Sequence, residues 1–312
     1  MDFKRLGYFA RIAELGSLTR AGERLGIAQP SLSRQMRLLE EELGVTLFTR
    51  GARGMQLTEA GALLWARIAG PLRQIGHAIF EVRSLPSEID GHVVFGMPPT
   101  MIHLLAGPLA RRVATDAPNI SLRIVDGYSG HLLDWIRRGE LDSAILYGPT
   151  PAGLNATKLI EDDLVLVGPP GSPVTAGGTV DFKDLEGVPW VLSSSTHGLR
   201  AALEAAASKA KVKLEVRHQA DSFQLMKELV SSGLGYSALP YFAISDDVAA
   251  GRLSWAAIHS PPATRQLFLA MQSNAPSPRA VLQIEDFVRQ EVAELVSAGR
   301  WTSARLREMG DS

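Results

Sequence analysis

Apolar and polar positions alternate along the chain in three distinct rhythms. In the first, Phe3, Leu6, Phe9, Ile12, Ala13 and Leu15 recur at helical spacing and predict a helix that ends near Gly16. Ser17 is placed to cap a short second helix carrying Leu18, Ala21 and Leu25, and Gly26 supplies the turn after it. The stretch IAQPSLSRQMRLLEEELG, residues 27–44, then forms a third helix. Two helices joined by a short glycine-containing turn make a helix-turn-helix. GVTLFTRGARGMQLTEAG, residues 44–61, predicts a wing: a strand from Thr46 to Thr49, a tight turn through Gly51 and Gly54, and a strand from Met55 to Leu57.

The second rhythm is a seam. Leu64, Ile68, Leu72, Ile75, Ile79 and Val82 step by fours and threes, the spacing of a coiled-coil helix that pairs with a second copy of itself. Packing on its own domain is the competing reading. Pro71, after Gly70, removes a hydrogen bond in mid-helix and predicts a kink at about residues 67–70.

Beyond SLPSEIDG, residues 84–91, the third rhythm begins, with short β-rich runs alternating with helical ones. His92 to Gly96, a helix to Asp116, Ser121 to Val125, a helix to Gly139, and Ser143 to Tyr147 read as a parallel sheet covered by helices. Leu164 to Val167 carries the chain to a second lobe. There Trp190–Leu192, a helix near 197–211, Val212–Arg217, a helix over 222–232 and Tyr236–Leu239 repeat the pattern. A strand near Leu267–Met271 and a helix near 278–298 form the return crossing. The expected domains are a winged helix-turn-helix over 1–58, a linker and dimerisation helix over 59–86, and a two-lobed α/β domain over 87–312. Its first lobe takes about 92–161 and 267–298, and its second about 162–266.

Charge sharpens the first region. Residues 1–58 hold nine Lys/Arg and six Asp/Glu, a net of +3, whereas the remainder carries −4. A basic end on an acidic body suits nucleic-acid binding by that end. At about 100° per residue, Leu32, Met36, Leu39 and Leu43 share the buried face of the third helix; Pro30, Arg34, Arg37 and Glu41 lie roughly opposite, with Ser33 at the edge. Pro30 suits the first turn, where a missing N–H costs little. Free amides there, with the Ser31 and Ser33 hydroxyls, can meet phosphate oxygens. Gln29 can pair with adenine and Arg34 with guanine, while Arg50 and Arg53 at the wing can reach a backbone or minor groove. A solvated helix face would carry the same residues; the preceding helix, cap and turn favour the DNA reading.

The order Ser17-Leu-Thr19, Ala21, Leu25, Ala28-Gln29-Pro30-Ser31-Leu32-Ser33-Arg34-Gln35, Leu39-Glu40, Leu43-Gly44, Leu47-Phe48, Arg50 and Leu57-Thr58-Glu59-Ala60-Gly61 resembles the LysR-type transcriptional regulators. The match is dense over sixty residues, and GMPPTM and GLGYSALPY further resemble the branch containing the nitrogen assimilation control protein. The resemblance implies a homodimer or homotetramer of winged helices on a palindromic double-stranded DNA operator, acting on RNA polymerase. It also implies a small-molecule sensor built like a periplasmic binding protein. Gly22 departs from the packing alanine usual in the family, and is expected to loosen the second helix by up to ~1 kcal/mol.

Ligands of two-lobed α/β domains sit where strand ends meet helix starts. That criterion nominates Thr100, Ser129 and Tyr147 in the first lobe, and Ser195, Thr196, His197, Ser222 and Phe223 in the second. The resemblance puts the effector pocket at the same junctions. Hydroxyls and helix starts suit a carboxylate or other small anion, with Phe223 as an apolar wall; simple N-capping is the alternative for each Ser or Thr.

Enzyme motifs are missing. GLGYSA, residues 233–238, lies between a helix and a following strand, the reverse of a dinucleotide site, and His131 breaks the nucleophile elbow at GYSGH. The seven histidines lack metal-ligand spacing, and with no cysteine the chain has no disulfide or thiol redox chemistry. Neither a signal segment nor a membrane span is apparent. The expectation is a cytoplasmic, non-enzymatic regulator needing no cofactor or metal; the rival reading is a solute-binding module whose helix-turn-helix is secondary.

Overall fold

The computed structural model describes residues 3–51, 54–83, 89–194, 198–273 and 278–306. The chain forms two compact units: Met1–Leu85 with Arg138–Glu140, and Pro86–Arg137 with Leu141–Ser312.

The first unit contains α1 (Phe3–Leu15), α2 (Leu18–Leu25), α3 (Gln29–Leu43), β1 (Phe48–Gly51), β2 (Gly54–Leu57) and α4 (Glu59–Arg83). Leu6, Phe9 and Ile12 of α1 pack with Leu18 and Ala21, with Leu32, Met36 and Leu39 of α3, and with Leu47 and Phe48. The Ser17 side chain caps α2, accepting from Arg20 N at 3.3 Å, and Gly26 closes it with φ 65°. Gly22 has a role that helix propensity conceals. A Cβ there would fall 2.6 Å from the Ile27 carbonyl oxygen, and Ile27 N donates to Gly22 O at 2.9 Å. The missing methyl therefore lets the turn close against α2, rather than only loosening the helix.

The wing is anchored by side chains. Glu40 Oε1 accepts from Leu47 N at 2.6 Å and Phe48 N at 3.2 Å, while Thr58 Oγ1 donates to Thr46 O at 2.6 Å. These bonds engage Thr46 and Leu47, so β1 starts at Phe48 instead of Thr46 and pairs antiparallel with β2, Phe48 opposite Leu57. Thr58 also caps α4, accepting from Gly61 N at 3.0 Å. A Cβ on Gly61 would lie 2.1 Å from Leu47 O, so only glycine permits this approach.

Helix α4 continues through Pro71 to Arg83 and does not end there. Its seam divides. Leu64, Trp65, Ile68 and Leu72 pack on the winged-helix core, whereas Ile75 and Ile79 are 42% and 50% exposed. The half nearest the wing thus packs in part on its own domain, the competing reading, while Ile75 and Ile79 of the distal half stand open; the Val82 side chain lies outside the description.

The second unit begins with β3 (Gly91–Met97), a short α5 (Pro99–Met101), a π-helical turn over Ile102–Ala106 and α6 (Gly107–Asp116). Then come β4 (Ile120–Asp126), α7 (Ser129–Arg137), β5 (Ser143–Tyr147) and the long β6 (Leu154–Gly168). The chain goes on through β7 (Thr179–Asp181), β8 (Pro189–Leu192), α8 (Gly198–Ala210), β9 (Glu215–Gln219), α9 (Phe223–Ser231) and β10 (Ser237–Pro240). It finishes with α10 (Ser245–Ala249), β11 (Ser254–His259), β12 (Ala263–Gln272), α11 (Arg279–Ser297) and β13 (Ala304–Leu306).

The main sheet runs β4-β3-β5-β12-β6-β11-β7, with β10 and β13 also paired to β6. It is parallel across β4-β3-β5, but β12 joins β5 and β6 antiparallel. The three strands expected to form a parallel sheet do so, and the sheet as a whole is mixed because the chain returns along β12 in the opposite direction. Two groups of apolar side chains mark the lobes. One includes Phe95, Ile145, Leu269, Ile284 and Trp301; the other includes Leu166, Trp190, Leu203 and Ala256. Strands β6 and β12 run through both.

Candidate functional site

Helix α3 has two contrasting faces. Leu32, Met36 and Leu39 are buried, whereas Gln29, Pro30, Ser31, Arg34, Arg37 and Glu41 are exposed and Ser33 is half-buried. Arg34 and Arg37 make no ion pair with another described residue. Unlike α2, α3 starts without a side-chain cap: Ala28 occupies that position and Pro30 follows in the first turn. The arrangement presents backbone donors, an amide, a hydroxyl and two guanidinium groups to one side, which is chemistry suited to phosphates and base edges. The Arg50 side chain and all of Arg53 lie outside the described residues.

In the second unit a cavity of about 20 Å³ is lined by Thr100, Ser129, Tyr147 and Phe223, joined by Tyr128 and Met226 among others. Tyr147 is held from two directions. Its hydroxyl shares a 2.5 Å hydrogen bond with Thr100 Oγ1, and its N–H donates to Ser129 Oγ at 2.8 Å. Burial pushes the Tyr147 hydroxyl's pKa up, partly opposed by Arg265 and the Thr100 bond, so the phenol stays protonated. Burial also raises Tyr128, with Asp221 and Asp126 adding to the effect. Phe223 packs beside the His103 ring, centroids 6.1 Å apart, and the Lys227 ammonium lies 4.8 Å from its centroid.

Four of the expected cleft residues therefore converge, and one does not. Ser222 is exposed and does not line the cavity; its hydroxyl caps α9, accepting from Leu225 N at 3.4 Å. Ser195, Thr196 and His197 lie outside the described residues. The hydroxyls of Thr100 and Ser129 are engaged with Tyr147 rather than left open, and much of the remaining wall is apolar: Pro98, Pro99, Leu199 and Met226. These residues look like core in a linear sequence and carried no signal. Gly198 also escaped notice. A Cβ there would fall 2.7 Å from the Cβ of Tyr147, so the missing side chain lets α8 close onto the end of β5.

A cavity this small holds about one water, so a larger ligand must displace some of the side chains that line it. Beside it, Arg265 and Asp162 form a fully buried ion pair on the crossing strands, Nη2 to Oδ2 at 2.6 Å, which sequence reading also missed.

Family models match both units. Residues 3–62 match the bacterial regulatory helix-turn-helix protein, lysR family, and residues 86–293 match the LysR substrate binding domain. The chain belongs to the LysR family. It is similar to the HTH-type transcriptional regulator BbuR of Bordetella bronchiseptica, 30% identical over 96% of this chain and 93% of that protein. The nitrogen assimilation regulatory protein nac of Klebsiella aerogenes is 31% identical over 91% of this chain and 94% of its own length. A full-length OxyR variant from Pseudomonas aeruginosa has the same fold, with TM-score 0.74, 22% identity and coverage of 100% and 99%. As a LysR-family member, the protein is a DNA-binding transcriptional regulator with an effector-binding domain; a freestanding solute-binding module does not account for residues 3–62. Among the described residues, no helix is long and apolar enough to cross a membrane.

Proposed function

We propose that this LysR-type regulator reads a palindromic operator through Gln29, Pro30, Ser31, Ser33, Arg34 and Arg37 of α3, with Arg50 and Arg53 reaching from the wing. The observation that carries this reading is the uncapped start of α3 with its unpaired arginines facing solvent. The partner copy is proposed to dock on the distal seam of α4, where Ile75 and Ile79 stand exposed. The chain acts in the cytoplasm as a dimer or tetramer and influences RNA polymerase from its operator. It requires no catalytic residue, cofactor or metal. Selection of bound duplexes from fragmented host genomic DNA tests the reading. Wild type should recover a dyad-symmetric site, and Arg34→Ala should lose roughly 1–3 kcal/mol and relax the preference at one position. Equal selectivity in the variant would remove Arg34 from base readout.

The proposed effector is a small anion or carboxylate bound between the lobes against Thr100, Ser129, Tyr147 and Phe223, with Ser195, Thr196 and His197 nearby in the sequence of the second wall. Ser222 belongs to the helix cap and is left out. Effector binding shifts the protein between closed and open arrangements, which needs different affinity for the two. Thr100→Val should leave operator binding intact and blunt the effector response; an unchanged response would remove Thr100 from the site.

A further inference from the structure

Strands β6 and β12 carry the chain between the lobes, and a third strand lies against them. Short β13 pairs antiparallel with β6, Ala304 opposite Asp162, Arg305 opposite Glu161 and Leu306 opposite Ile160. Along the same edge of β6, pairing with β10 begins at Leu164, opposite Pro240. Asp163 is therefore the joint between the two partners of that edge, and its N–H donates to Ser303 O at 3.3 Å.

Side chains clamp this joint on both faces of the sheet. Successive strand residues point to opposite faces, and Asp162 and Asp163 each hold one residue of β12 and one of the C-terminal segment. Fully buried Asp162 accepts from Arg265 Nε and Nη2 through Oδ2, at 2.8 and 2.6 Å, and from Ser303 Oγ through Oδ1 at 2.5 Å. Asp163 accepts from Thr264 Oγ1 at 2.5 Å and from both terminal nitrogens of Arg305, Nη2 at 2.9 Å.

The residues leading into β13 touch both lobes. Buried Trp301 belongs to the apolar group of the first lobe, and its ring meets Phe242 edge-on with centroids 5.3 Å apart. Phe242 follows directly after β10, in the second lobe. A hinge of extended strands bends through φ/ψ changes in a few residues. Bending at Asp163 would here pull Ser303 from Asp162 or Arg305 from Asp163. A three-residue edge strand, with Thr302 and Arg305 exposed beside it, is the kind of element that detaches without unfolding the rest.

We propose that Trp301–Arg305 is a strap across the hinge: docked on β6 it restrains the angle between the lobes, and detachment of β13 frees them to move. The aspartates keep their bonds to β12 when the strap leaves, so the crossing strands stay paired. The strap acts whatever ligand the cleft takes and stands apart from the effector reading.

Because the chain has no cysteine, a pair of spin labels can report the angle directly. Asp116→Cys on α6 of the first lobe and Lys209→Cys on α8 of the second are both exposed positions. Labelled chain is diluted with unlabelled chain, so that pulsed EPR reads distances within one copy. The full chain should give one narrow distribution. A chain ending at Thr302, which keeps Trp301, should give a broader one with a displaced second population. Ser303→Ala/Arg305→Ala should move the same way, and it decides the matter if the shortened chain does not fold. Ile284→Val thins the first lobe's core away from the hinge; it should lower the melting temperature and leave the distances unchanged. A wild-type distribution in the folded shortened chain, or in the double variant if that chain does not fold, would overturn the strap. Equal broadening in Ile284→Val would also overturn it, by reducing the effect to lost stability.

Discussion

Along α3, Gln29, Ser31, Arg34 and Arg37 stand in solvent, whereas in the cleft Thr100, Ser129 and Tyr147 are bonded to one another. The two regions prepare for their partners in opposite ways. An exposed face with open donors can meet a large, rigid polyanion without first giving up internal bonds, and its affinity should fall steeply with salt. In the cleft the Thr100 and Ser129 hydroxyls are both bonded to Tyr147, and there is room for about one water. A ligand there must replace existing contacts, so under the proposed effector reading its binding is coupled to rearrangement of the wall.

The cores below these sites differ as well, and the largest expected effect tests that difference. The winged-helix core is apolar and depends on close backbone approach, whereas the two-lobed domain encloses charge. Asp162→Ala leaves Arg265 buried without its partner and should cost about 3–5 kcal/mol in urea unfolding. Arg265→Met/Asp162→Asn should recover most of that loss. Similar stability for Asp162→Ala and wild type would mean that water reaches the pair, and the contrast between the cores would be lost.

A smaller effect is expected at the glycines. Gly61→Ala forces a methyl to within 2.1 Å of Leu47 O and should destabilise the winged helix by about 1–3 kcal/mol. Gly7→Ala in α1, where the added Cβ meets nothing within 4 Å, should stabilise it by up to ~1 kcal/mol. The two melting temperatures should move in opposite directions; movement in the same direction would show that helix propensity, not the approach to Leu47, governs position 61.

The smallest effect concerns Glu285 on α11, which is 3% exposed and hydrogen-bonded to Ser143 Oγ at 2.6 Å. Burial raises its pKa, with Ser143 and Arg289 opposing the rise. The folded protein thus binds this proton more tightly than the unfolded chain does. Its contribution is present below the ordinary carboxylate pKa and is lost as pH rises through the folded value. Glu285→Gln should flatten the fall of the melting temperature as pH rises above the ordinary carboxylate range. An unchanged slope would assign that dependence to other groups.

Much of the DNA-facing domain was legible because its determinants are local. Ser17, Gly26 and the spacing of Leu32, Met36 and Leu39 each act within one or two helical turns, so the alternation of residue types exposes the helices and their faces. The wing was legible except for its first strand, whose start depends on Glu40 and Thr58 reaching across it. In the cleft, strand-to-helix junctions pointed to Thr100, Ser129, Tyr147 and Phe223, but the same logic also chose Ser222. A serine at a helix start has the same sequence appearance whether its hydroxyl faces a ligand or caps the helix.

The sequence by itself determined the order of the helices and strands, the polar face of α3 and the family. Hydrogen bonding within a helix and the periodicity of burial are short-range, and residue order records them. Tertiary structure alone decided that half of the α4 seam turns inward, that Gly198 closes onto Tyr147, and that Arg265 comes to lie behind it. Each is a meeting of residues distant along the chain, set by how the sheet crosses between lobes or how a helix lies on its domain. No local pattern of side chains encodes those distances.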